Sequence, residues 1–75
     1  MLLQVETRAG LHGDLEPVAF LLGDRRIEVM EILDRWIGSD HSYFKVHASD
    51  GALYILRNEP MRGNWELTLF QAAER

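Results

Sequence analysis

Val18-Ala19-Phe20-Leu21-Leu22-Gly23-Asp24-Arg25-Arg26-Ile27-Glu28-Val29 is the stretch whose reading decides the fold. Gly23-Asp24 has glycine first, the type II′ pattern of a two-residue hairpin. Reversal there places Leu22 opposite Arg25, Phe20 opposite Ile27 and Val18 opposite Val29, so the apolar residues of both arms fall on one side. A slip of one residue would set Phe20 against Arg26 or Glu28, and side-chain alternation would carry every apolar group to the wrong face. Turn chemistry and hydrophobic pattern agree, which predicts two antiparallel strands.

The following stretch admits two readings. Val29, Ile32, Leu33 and Trp36 lie at i, i+3, i+4 and i+7, the spacing of an amphipathic helix, and Glu31 and Arg35 sit at i, i+4. Yet Arg25 to Val29 alternates as a strand and enters this stretch with no cap or break. The preferred reading is one long, bent strand with a bulge near Glu31-Ile32, which restores the inward phase. The alternative is a short helix over 29–37.

Similar punctuation governs the rest of the chain. Leu2 to Arg8 alternates Leu3 and Val5 with Gln4 and Glu6, and leads into a glycine loop ending at Asp14. Pro17 can open the next strand because it gives up only a terminal donor. Tyr43 to Ala48 alternates, and Asp50-Gly51 predicts a hairpin pairing Val46 with Ile55 and His47 with Tyr54. Trp65, Leu67 and Leu69 alternate with Glu66 and Thr68 in a last strand, and residues 71–75 read as a frayed tail. The expectation is an all-β domain over residues 1–75. It takes the form of a small, strongly bent antiparallel sheet, or a partly open SH3-like barrel, of five to six strands, because closure removes exposed edges. Phe20, Ile27, Val46, Ile55 and Leu67 are expected on its inner wall, with Trp65 in the core.

Size and composition narrow the function. Seventy-five residues form one domain that buries only about 60% of its unfolded surface, which leaves little room for a catalytic cleft or a small-molecule site. Cysteine is absent, which excludes disulfides, thiol nucleophiles and thiolate zinc sites. No signal peptide or membrane span is legible, which points to the cytoplasm. Twelve acids against eight bases give a net charge of −4, which disfavours generic binding to phosphate backbones.

Few motifs carry chemistry. His12, His41 and His47 match no metal-ligand spacing, no nucleophile elbow is present, and no cofactor-binding motif occurs. Gly10-Leu11-His12-Gly13 has the G-x-x-G form but no basic residue, and reads as a turning loop. The exposed set is more informative. Tyr43, Lys45, His47 and Tyr54 are expected on the outer face of one hairpin, with Arg25, Arg26, Arg35 and Arg57 as further bases. Aromatics mixed with bases suit a protein interface or a single-stranded nucleic-acid groove; the bland alternative is cross-strand pairing on a solvated sheet. Ala19 and Leu21, and Leu56 on its own strand, add apolar groups opposite the core face, as in strands covered on both sides.

The chain from Pro17 onward resembles a known pattern. It runs Pro17-Val18-Ala19-Phe20, Gly23-Asp24-Arg25-Arg26-Ile27-Glu28-Val29, Ile32-Leu33-Asp34-Arg35-Trp36, Tyr43-Phe44-Lys45-Val46, Asp50-Gly51, Tyr54-Ile55-Leu56 and Gly63-Asn64-Trp65-Glu66-Leu67. This resembles a small uncharacterised bacterial family whose members occur alone and as a C-terminal module on relatives of error-prone Y-family DNA polymerases. The resemblance implies a DNA-repair setting and no catalytic residues, and residues 1–14 lie outside it. The leading expectation is a non-enzymatic interaction module that docks a protein partner or itself. The alternative is an accessory single-stranded nucleic-acid-binding domain that uses the bases with Tyr43 and Tyr54.

Overall fold

The structure is a computed structural model that describes residues 2–10 and 15–72. Six antiparallel strands follow in chain order: β1 (Leu2–Ala9), β2 (Leu15–Leu22), β3 (Arg25–Ile37), β4 (Ser42–Ala48), β5 (Leu53–Glu59) and β6 (Asn64–Gln71). Each pairs with its neighbours, and β6 returns to β1, which closes a small barrel. No helix occurs among the described residues, so β3 is the long bent strand and not a helix. His12 and the G-x-x-G loop lie outside the described residues, as does the end of the chain after residue 72. Gln71 belongs to β6, where it pairs with Leu53, so the expected tail does not begin there.

The β2–β3 hairpin has the register its sequence predicts, with Leu22 opposite Arg25 and Phe20 opposite Ile27. Gly23 has φ 66° and Asp24 does not have positive φ, which is the type II′ signature. The ladder stops at Ala19 and Glu28, because Val18 is the extra residue where the β1–β2 register shifts.

Strand β3 bends through two irregularities, one skipping Met30 and the other Leu33. Each adds one residue, so the inward positions become Val29, Ile32 and Arg35, three apart instead of two. The first insertion accounts for the three-residue step from Val29 to Ile32 in the helix-like pattern, whereas Leu33 and Trp36, its other two members, are exposed. Both insertions bend β3 around the core, as barrel closure requires of a strand that crosses it.

The β4–β5 turn differs from expectation. The amide of Gly51 donates to the carbonyl of Ala48 at 2.9 Å, and the amide of Ala48 donates to the carbonyl of Ala52 at 3.0 Å. Gly51 has φ 85°. The loop therefore holds three residues, Ser49, Asp50 and Gly51: a type I turn closed by a left-handed glycine, not a two-residue Asp-Gly turn. Val46 consequently pairs with Tyr54, and His47 with Leu53. Tyr54 and Leu56 point inward, while Leu53 and Ile55 point outward, which reverses the expected assignment of β5.

Phe20, Ile27, Phe44, Val46, Tyr54, Leu56 and Trp65 are buried in one cluster, with Leu67 packed against it. Near one end of the barrel Phe20 meets Tyr54 edge-on at 4.9 Å; near the other Phe44 lies 5.6 Å from Trp65. A register shift between Ile55 and Leu56 makes Thr68 an extra residue in β6, so Leu69 faces outward, contrary to the simple alternation, and Phe70 lies against Tyr54. The observed register sets adjacent residues of β5 apart in cost. Leu56→Ala should destabilise the fold by about 2–5 kcal/mol, whereas Ile55→Thr should cost less than about 1 kcal/mol. Urea denaturation of both variants measures this; equal losses would contradict the three-residue turn.

Candidate functional site

The outer wall of β3–β6 gathers apolar side chains from four strands. Cross-strand neighbours share a face, so the registers assemble it in rows. Trp36, Tyr43, Arg57 and Glu66 form one row. Asp34, Lys45, Ile55 and Leu69 form the next, and Glu31, His47, Leu53 and Gln71 the third. Trp36 is 47% exposed and Leu69 54%, while Tyr43, Leu53 and Ile55 are half-buried. His41 packs edge-on against Tyr43 at 5.7 Å. An apolar patch thus crosses four strands, interrupted by Lys45 and His47 and flanked by acids on β3.

Tyr43, Lys45 and His47 lie together as expected, and Arg57 joins them. Tyr54 does not: it is 1% exposed and belongs to the core. The three-residue turn moved it there and moved Leu53 and Ile55 out. The remaining bases scatter. Arg25 follows the β2–β3 turn near Asp50. Arg26 faces out over β2 and chelates Glu6 at 2.7 and 3.0 Å. Arg35 faces inward at the barrel end, 5.7 Å from the Phe44 ring, and meets Glu16 at 2.7 Å. Arg57 donates to Glu59 at 3.0 Å.

Electrostatics follow those partners. The Arg26 hydrogen bond holds the Glu6 carboxyl below its usual range and raises Arg26 in turn. The Arg35 hydrogen bond does the same to Glu16, assisted by Arg8. Three of the bases are thus already neutralised within the chain. The side chains of Lys45, His47 and Glu31, by contrast, make no hydrogen bond or ion pair with the other described residues.

The two apolar excesses also part ways. On β2, Ala19 is fully buried because Arg26 reaches from β3 over β2 to Glu6 on β1 and roofs it. Nothing among the described residues roofs Leu53 and Ile55 on β5. The signal that could have found them is the unbroken apolar run Leu53-Tyr54-Ile55-Leu56, which supplies both faces whichever register the turn selects.

Buried Tyr54 is satisfied by the turn that positions it. Its hydroxyl donates to Asp50 Oδ2 at 2.5 Å, and the Ala52 amide donates to Asp50 Oδ1 at 3.0 Å. Burial pushes the phenol up, and the Asp50 carboxylate beside it adds to the effect, raising it to about 12. Burial alone would raise Asp50, but the Tyr54 and Ala52 hydrogen bonds and the Arg25 charge outweigh it and hold Asp50 below the usual carboxylate range. Among the described residues no three His, Asp or Glu side chains converge as a metal site would require.

No family model, no curated protein and no solved structure matches the chain. The geometry is therefore what any functional reading rests on.

The Tyr54–Asp50 pair makes a direct prediction. In a Tyr43→Phe variant, where Tyr54 is the one remaining tyrosine, phenolate absorbance should rise with a midpoint near 12. Because the folded phenol is raised, its stabilisation is complete below about pH 10 and fades as pH climbs towards 12. Because the folded Asp50 carboxyl is lowered, its stabilisation holds above about pH 4 and is lost as pH falls further. Tyr54→Phe should remove the alkaline loss and cost about 0.5–1.5 kcal/mol at neutral pH; a phenolate midpoint near 10 would sink the assignment.

Proposed function

We propose that this chain is a non-enzymatic interaction module that docks through the outer wall of β3–β6, and that the surface it docks is a second copy of itself. The observation that carries this reading is the patch of Trp36, Tyr43, Leu53, Ile55 and Leu69, set beside unpaired charges of both signs. Contiguous exposed apolar surface with aromatic members is characteristic of protein interfaces.

Self-docking is supported by charge. Lys45 and His47 lie on β4, and the acids Glu31 and Asp34 lie on β3 beside them. Acids and bases on neighbouring strands of one patch give a surface that can complement its own copy, as an isologous dimer needs. The resemblance from Pro17 onward is carried by core and turn positions. It adds a bacterial, DNA-repair setting to the proposal and no catalytic group. The nucleic-acid reading needs the bases to converge; Arg26 and Arg35 face away from Lys45 and Arg57, and three of the four arginines are held by carboxylates.

Sedimentation velocity from low micromolar to near-millimolar concentration tests this reading. A concentration-dependent dimer is expected, abolished by Ile55→Glu and weakened by Lys45→Glu, with the far-ultraviolet spectrum unchanged. A monomer throughout would overturn self-docking. Binding of single-stranded DNA that weakens with salt and with Lys45→Glu would favour the nucleic-acid reading instead.

A further inference from the structure

The barrel is closed by a short seam. Strand β1 has eight residues, but only Leu2 and Leu3 pair with β6, opposite Glu66 and Trp65. Beyond Leu3 the two strands part, and the open part of the seam leads into a groove of about 480 Å³. Leu3, Val5 and Thr7 line one side, Trp65 and Asn58 the other, with Leu15 at the barrel end and the turn around Pro60 and Gly63 as the far wall.

The backbone on the β1 side is polar and directional. In an antiparallel strand, successive residues present their N–H and C=O to opposite edges. The two-residue turn at Gly23-Asp24 makes Leu22 and Arg25 a hydrogen-bonded pair, so alternate residues of β2, Leu21 and Ala19, turn their backbone towards β1. Their partners are Gln4 and Glu6. The intervening residues of β1 therefore face the seam: Leu3 is spent on Trp65, and Val5 and Thr7 have no strand beside them among the described residues. Two N–H and two C=O groups line the mouth of a groove whose lining is mixed, with Leu3, Val5, Leu15 and Trp65 as its apolar members and Gln4, Thr7 and Asn58 as its polar ones.

We infer that this edge is a binding site for an extended polypeptide segment of a partner protein, which adds to β1 as a strand and continues the β1–β6 seam. Only an extended polypeptide presents donors and acceptors at the spacing of a strand edge. Its alternate side chains enter the groove, between Val5 and Leu15 on one side and Trp65 on the other. A space of about 480 Å³ holds two or three apolar side chains and not a folded element. The site is separate from the outer wall of β3–β6, so either can fail without the other.

The test uses the whole chain, labelled with ¹⁵N, against hexapeptides selected from a random display library on the immobilised protein. Selected peptides are expected to carry apolar residues at every second position and to shift the amides of Val5 and Thr7 first. N-methylation of alternate peptide amides should weaken binding at least tenfold, whereas methylation of the intervening ones should leave it within twofold. Thr7→Pro removes an outward donor, a change edge strands tolerate, and should abolish binding. Should that variant misfold, Leu15→Arg at an exposed position of the groove rim keeps the question open to measurement and should weaken binding at least tenfold. Ile55→Glu should leave peptide affinity unchanged.

Failure to select any peptide, or binding indifferent to every N-methylation, would overturn the inference. Peptides that shift Tyr43 and Ile55 in place of Val5 and Thr7 would also overturn it. Concentration-dependent shifts of Val5 and Thr7 without peptide would assign the edge to a second copy and likewise refute it.

Discussion

Gly51 holds a backbone conformation, φ 85°, that side-chain-bearing residues rarely adopt, and it closes the three-residue β4–β5 loop whose length fixes which face of β5 is inside. With it the β4–β5 loop has three members, and the strand returns with Tyr54 and Leu56 inward. Asp50 locks the arrangement, since it accepts from the Ala52 amide within the turn and from the Tyr54 hydroxyl at the barrel end. A large ring can then be buried against Phe20 without stranding its polar atom. The turn is also tied to β3: the Ser49 amide donates to the Glu28 carbonyl, and the Glu28 amide donates to the Ser49 hydroxyl.

Surface and core are consequences of the same register. Because Tyr54 fills the interior, Leu53 and Ile55 face outward beside Tyr43 and Lys45, and the outer wall becomes apolar where the alternative register would have placed Tyr54. The chain treats its two apolar excesses differently. It roofs Ala19 with the Arg26–Glu6 ion pair and leaves β5 open. Exposed ion pairs contribute little stability, but this one spans β2 from β3 to β1 on the face that Ala19 shares. Among the described residues nothing comparable lies over Ile55, which is what makes the wall of β3–β6 the docking candidate.

Extra residues in the strands provide the curvature. Val18, Met30, Leu33 and Thr68 each break a ladder, and a sheet with so small a core can close only if its strands bend sharply. Bulges also re-aim side chains: Arg35 swings to the barrel end over Phe44, and Leu69 turns outward. Closure is nonetheless incomplete along the β1–β6 seam, where β1 runs on past the start of its partner.

Local chemistry was enough for the sequence to determine the all-β class and the Gly23-Asp24 hairpin, because a glycine-first turn and strict alternation on both arms allow one register. It also placed Tyr43, Lys45 and His47 on one outward face, since the neighbouring Phe44, Val46 and Ala48 can only point in. Tertiary structure decided the rest. Asp50-Gly51 fits both a two-residue and a three-residue turn, and the flanking run Leu53-Tyr54-Ile55-Leu56 is apolar in either phase, so only packing of Tyr54 against Phe20 selects between them. A bulge in β3 brings both Val29 and Ile32 inward, a three-residue step that an extended strand shares with a helix, and the convergence of Trp36, Ile55 and Leu69 exists only because distant strands lie side by side in a closed barrel.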